Sequence, residues 1–278
     1  MPYFTGSRGR VHHDAWLPDG DVRSVIVFLH GFAEHIGLYD VMGRRLAAAG
    51  HAVHAFDEVG HGRSDGKRAV IESWDHLVDD ALMLVRLVRR QHPGMPLILM
   101  GHSHGALAAT LLAIRNPGLA SALVLSGAAV RPLAWVAEEI AGEAETPDDL
   151  DPTTLLSRHP DYVHALLHDP LVYQGGFPRE YLLAMTRTWP EVADALANGR
   201  PTLPTLLVHG EDDPLVPLSV PREVATLLPD ATLRVFAGDL HDVLNEHDRD
   251  QVHDTVAAWL AETLLESPTS RPTSNVGR

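Results

Sequence analysis

Apolar residues along this chain fall into two alternating patterns. Ser24 to Leu29 is a continuous, largely apolar run that ends at His30-Gly31, as expected of a strand buried on both faces. Leu38 to Ala49 then carries apolar residues at helical spacing and stops at Gly50, a residue suited to closing a helix. The alternation repeats downstream. Strands are predicted over His51 to Phe56, Pro96 to Met100, Ala122 to Ser126, Thr205 to His209 and Thr232 to Phe236. Helices are predicted over Trp74 to Gln91, Gly105 to Arg115 and Gln251 to Leu265. Such alternation implies right-handed crossovers and an α/β fold, a mostly parallel central sheet flanked by helices on both faces. A weaker pattern from Arg10 to Leu17 predicts an antiparallel edge strand, and no internal repeat is found.

The pattern breaks between Val130 and Arg200. Helix-like pieces over Pro132 to Gly142, Pro152 to Leu167 and Pro178 to Gly199 follow one another with no strand, and Trp189-Pro190 is expected to break the last. About seventy residues between two strands far exceed a loop, so 131–200 reads as an inserted helical cap over the strands' carboxyl ends. The core is then 1–130 with 201–266, and the Ser-, Pro- and Thr-rich 267–278 reads as a disordered tail.

Composition narrows the function. A chain of 278 residues with formal net charge −15 lacks the basic surface that phosphate neutralisation needs, so nucleic acid is not an expected partner. A neutral substrate suits that charge better than an anionic one. There is no cysteine, hence no thiol nucleophile or disulfide framework, which fits a cytoplasmic setting. The first ten residues have no apolar core of a secretory signal, and no apolar stretch is long enough for a transmembrane segment.

The chemistry sits at strand ends. Gly101-His102-Ser103-His104-Gly105 is a Gly-x-Ser-x-Gly string between a predicted strand and a predicted helix, the context of a nucleophile elbow. Serine needs a base, and the base needs an orienting acid. The order Ser, acid, His is supplied by the turn after Thr205 to His209, which holds Asp212 and Asp213, and by His241 after the next strand. Asp213, followed by the stiffening Pro214, is preferred to Asp212. His241 is preferred by position to His247 and His253, which are expected to face solvent. The loop His30-Gly31-Phe32-Ala33 is expected to place the Phe32 amide beside the His104 amide as an oxyanion hole. His12-His13 and His102-x-His104 lack the convergent third and fourth ligands of a hydrolytic metal centre, and phosphate-binding glycine motifs are absent. No metal or organic cofactor is therefore expected.

Further strings carry a family resemblance from about Arg10 to Leu265. They are His30-Gly31-Phe32-Ala33-Glu34-His35 with Tyr39, and Asp57-Glu58-Val59-Gly60-His61-Gly62-Arg63-Ser64-Asp65-Gly66. Gly101-His102-Ser103, Asp169-Pro170-Leu171-Val172-Tyr173, His209-Gly210-Glu211-Asp212-Asp213 and His241-Asp242-Val243-Leu244-Asn245-Glu246 complete the set. With these the chain resembles the monoglyceride lipase and lysophospholipase-like branch of the α/β-hydrolases.

The resemblance implies a Ser103–Asp213–His241 triad, Glu34 and His35 steadying the oxyanion loop, and a cap shaping an acyl tunnel. Leu171, Val172, Phe177, Tyr181 and Met185 are the candidate substrate-binding residues. The expected substrate is a neutral acyl ester or lipid, monoacylglycerol by resemblance, with transient lipid-surface contact through the cap. General carboxylesterase, lysophospholipase or thioesterase activity is the alternative, and a non-catalytic binding module the remote one. The family elbow commonly reads Gly-His-Ser-Met-Gly-Gly. Here His104 and Ala106 replace the methionine and the last glycine. The imidazole at 104 is expected to alter the polarity of the acyl pocket.

Overall fold

A computed structural model describes residues 2–142 and 151–266. The predicted tail, 267–278, lies outside the described residues. The strands are β1 (Tyr3–Gly6), β2 (Gly9–Trp16), β3 (Ser24–Leu29), β4 (His51–Phe56), β5 (Leu97–His102), β6 (Ala122–Ser126), β7 (Thr205–Gly210) and β8 (Ala231–Phe236). They form one sheet in the order β1-β2-β4-β3-β5-β6-β7-β8. From β4 to β8 every pairing is parallel, while β1 and β2 add an antiparallel edge. β1 escapes prediction because it is four residues long and only half covered.

Six helices belong to the alternating frame or its extension: α1 (Asp40–Ala48), α2 (Trp74–Gln91), α3 (His104–Arg115), α8 (Ser219–Leu227) and α9 (Arg249–Glu266) flank the sheet, and α7 (Arg179–Ala197) docks beside them. The period of two in each strand sorts the core into two layers. Val25, Val27 and Leu29 of β3 join α2, α3, α7 and α8 on one face, while Ile26 and Phe28 join α1 and α9 on the other.

Between β6 and β7 lie α4 (Ala134–Ala141), α5 (Pro152–Leu155), α6 (Pro160–His168) and α7, with no strand among the described residues. Two expectations are corrected here. Pro190 does not break α7, which runs on through it. The proline removes one backbone donor, but Leu182, Met185, Trp189 and Val192 keep a continuous buried face, and Trp189 Nε1 donates to the Ala129 carbonyl at 2.8 Å. Conversely, Pro152 to Leu167 is not one piece. It divides around Ser157, whose hydroxyl donates to the Asn245 carbonyl, and Pro160 restarts the helix.

This segment is tied to the body through three main-chain bonds and one indole donor. The amides of His241 and Asp242 donate to the carbonyls of Leu155 and Leu156 at 3.4 and 2.8 Å. The Tyr173 amide donates to Ala33 at 2.9 Å, and Trp135 Nε1 donates to Leu215 at 2.9 Å.

Candidate active site

Strand β5 ends at His102, and helix α3 begins at His104, leaving Ser103 to make the turn alone. Its φ of 53° and ψ of −116° lie where a side chain is strained, a cost accepted at functional turns. Gly101 and Gly105 make the turn sterically feasible. A Cβ on Gly101 would stand 2.4 Å from the Gly105 carbonyl, and one on Gly105 2.4 Å from the carbonyls of Leu29 and His30.

Ser103 Oγ lies 2.8 Å from His241 Nε2, and His241 Nδ1 lies 2.8 Å from Asp213 Oδ2. The other Asp213 oxygen accepts from the amides of Leu215 and Val216, both at 2.9 Å. Asp213 is buried, whereas Asp212 and His247 are exposed. His253 corrects the expectation of a solvent-facing side chain. It is buried, because its ring faces the core from α9, and its Nε2 donates to the Leu244 carbonyl at 2.8 Å.

Electrostatics suits a base poised to take a proton. Burial pulls the His241 imidazole down, but the charge and hydrogen bond of Asp213, with the charge of Asp242, raise it above the ordinary 6.5. Burial pushes the Asp213 carboxyl up, and His241, His209 and the Val216 amide outweigh it and hold it low. A carboxylate thus faces the Nδ1–H, leaving Nε2 to accept the hydrogen bond from Ser103 Oγ.

The loop from His30 to Ala33 is held from behind. Glu34 Oε2 accepts from the Gly31 amide at 2.9 Å and from Tyr39 Oη at 2.5 Å. Tyr162 of α6 reaches both Glu34 Oε1 and Asp242 Oδ2, the latter at 2.6 Å. Burial and the Asp242 charge push Glu34 up to about 8, against the hydrogen bonds that favour its ionised form. With Glu34 protonated, it donates to Tyr162 and Tyr162 donates to Asp242. His35 Nε2 stands 3.2 Å from Asp169 Oδ2. The sequence motifs contained Tyr39 and Asp242 without a role for either, and Tyr162 had no local signal.

Ser103 and His241 open into a cavity of about 400 Å³, large enough for one small ligand. Phe32, Val172, Phe177, Tyr181 and Met185 line it. Leu171 is half-buried and stands outside the cavity wall. Nor does the His104 ring line it. The side chain is fully buried with Nε2 2.8 Å from Glu58 Oε2, so the expected change in pocket polarity is corrected: Phe32 and Tyr181 stand between the cavity and the imidazole.

Two buried groups bring ligand-type atoms within 4.8 Å of one another: His30, Glu58 and His104, and Glu34, His102 and Asp242. In the second, tyrosine hydroxyls meet the carboxylates and His102 Nδ1 meets Ser126 Oγ. In the first, His30 uses both nitrogens on main-chain groups.

A family model described as serine aminopeptidase, S33, matches residues 20–248. The chain belongs to that family. This S33-family α/β-hydrolase is 36% identical to a monoacylglycerol lipase of Mycolicibacterium smegmatis, over 94% of this chain and 96% of that one. It is 29% identical to the human monoglyceride lipase, over 92% and 88%. Among solved structures, the Paleococcus ferrophilus monoacylglycerol lipase superposes with TM-score 0.77 at 26% identity, covering 91% of this chain and 99% of that chain.

Proposed function

We propose that this S33-family hydrolase cleaves carboxylic esters of acyl chains, with monoacylglycerol as its substrate class. The observation that carries the reading is the Ser103–His241–Asp213 array, two contacts of 2.8 Å, opening on an apolar cavity. The near full-length likeness to monoacylglycerol lipases supports the choice of substrate.

In this reading Ser103 attacks the ester carbonyl while His241 Nε2 takes its proton. The carbonyl oxygen becomes an oxyanion held by the amides of Phe32 and His104. The tetrahedral intermediate collapses, His241 returns the proton to the leaving glycerol, and an acyl-enzyme remains. Water then enters, loses its proton to His241, attacks the acyl carbon and releases the fatty acid as Ser103 recovers its proton. Residues 131–200 act as the cap that shapes the acyl site. Leu167, half exposed yet lining the cavity, is the point where the cap touches a lipid surface.

A fluorophosphonate probe tests the chemistry: labelling is expected on Ser103, and a folded protein left unlabelled there overturns it. A panel of monoacylglycerols, short p-nitrophenyl esters, lysophospholipids and aminoacyl p-nitroanilides, compared by kcat/KM, tests the substrate. Monoacylglycerols are expected to lead. Near silence on them with rapid turnover of short esters assigns a general carboxylesterase instead.

A further inference from the structure

Behind the nucleophile turn lies a buried group that the proposed chemistry leaves unused. Glu58 and His104 are each 0% exposed, and Glu58 Oε2 stands 2.8 Å from His104 Nε2. The contact is poorly aligned for a hydrogen bond, and the remaining atoms, Glu58 Oε1 and His104 Nδ1, have no partner. A carboxylate in such a place requires a compensating charge. The neighbouring histidines do not supply it, since burial lowers the pKa of both His30 and His61. His104 is the remaining imidazole in contact, so one proton belongs to the pair.

The position of this pair is informative. Glu58 donates its amide to His30 Nε2 at 2.9 Å, which places the His30 proton on Nδ1, and Nδ1–H donates to the Gly31 carbonyl at 2.7 Å. That carbonyl shares its peptide plane with the Phe32 amide, so fixing one direction fixes the other. The Glu58 carboxylate meanwhile stands against the side chain of His104, the first residue of α3. One residue thereby connects the peptide bearing the first oxyanion donor to the residue bearing the second.

We propose that Glu58 and His104 are a proton-sharing positioning pair that sets the spacing of the two main-chain donors of the oxyanion hole. This rests on the ester-hydrolase reading above. The pair is enclosed by Phe32, Trp74 and Tyr181. The titratable groups around it are His30, His61, His102 and Tyr181, with Asp57 acting on His30 and Arg68 on His61. Glu58 also raises the pKa of the Tyr181 phenol, after burial, which keeps that neighbour neutral.

The test uses the whole chain, with p-nitrophenyl butyrate hydrolysis and fluorophosphonate labelling measured for wild type, H104M, E58Q and E58Q/H104M. H104M strands the carboxylate, so kcat is expected to fall at least about tenfold while KM stays within about threefold. Adding E58Q removes the stranded charge, and the double variant is expected to exceed H104M by about fivefold or more. A purely steric role for the ring gives no such rescue by E58Q. E58Q, which keeps the size of the side chain, and thermal melts for all four proteins separate misfolding from mispositioning.

H104M within about twofold of wild type, or a double variant no better than H104M, overturns the proposal. Activity lost to EDTA and restored by zinc overturns it as well, by giving the cluster a metal instead of a proton. A wild-type protein that neither hydrolyses the ester nor takes the probe refutes the ester-hydrolase reading itself, a different outcome.

Discussion

At the scale of single residues, acid and base are separated by what surrounds each carboxyl and each ring. Asp212 and Asp213 are neighbours in one turn, yet only Asp213 turns inward, receiving two amides on one oxygen and His241 on the other. Asp213→Asn is therefore expected to lower kcat by about 10⁴, through the wrong imidazole tautomer, and Asp212→Asn to leave it near wild type. Steady-state kinetics on a soluble ester decides this, and the larger loss at Asp212 would reverse the assignment. The raised pKa of His241 has its own signature. In the proposed reaction His241 works as a neutral base, so activity is expected to fall as pH drops through a midpoint above 6.5 in the kcat/KM profile. A midpoint below 6.5 contradicts the electrostatic account. The same shift makes the His241 contribution to stability complete below the unfolded value and lost as pH rises through the folded one.

Elements explain how much was legible in the sequence. The buried strands announce themselves as apolar runs, and each candidate residue of the triad sits just past one: Ser103 after β5, Asp213 after β7, His241 after β8. Position along the chain therefore located three groups that distance later brought to 2.8 Å. Contacts between remote segments had no such signal. Glu58 meets His104 across 46 positions, and Tyr162 reaches Glu34 across 128. Pro190 and His253 misled for the opposite reason: a local rule was applied where tertiary packing decides. The segment between β6 and β7 yields a prediction of its own. Leu167→Asp puts a charge on an exposed leucine at the cavity rim, and is expected to cut hydrolysis of vesicle-borne monoacylglycerol about tenfold while short soluble esters change little. Equal losses on both substrates would remove the lipid-contact role.

Across the whole molecule, charge and proton placement set the working conditions. A net charge of −15 favours a neutral lipid surface over an anionic one. No described helix is long and apolar enough to cross a membrane. Glu34 supplies a test of stability. Its pKa rises from 4.5 to about 8 on folding, so the folded state holds a proton that the unfolded chain has released. Between those values its contribution declines as pH rises, and it levels off above the upper one. Relative to Glu34→Gln, wild-type Tm is expected to drop on going from about pH 5 to about pH 8, and a constant difference between the two proteins contradicts the shift.

The main-chain bonds from Leu155 and Leu156 to the His241 loop, and from Tyr173 to Ala33, have a consequence for how this enzyme could change. Trimming the segment would leave the amides of His241 and Asp242 and the carbonyl of Ala33 without these partners. Swapping it for a relative's would transplant hydrogen-bond partners of the His241 and Ala33 loops along with part of the cavity wall. Selectivity and turnover in such chimaeras are expected to move together.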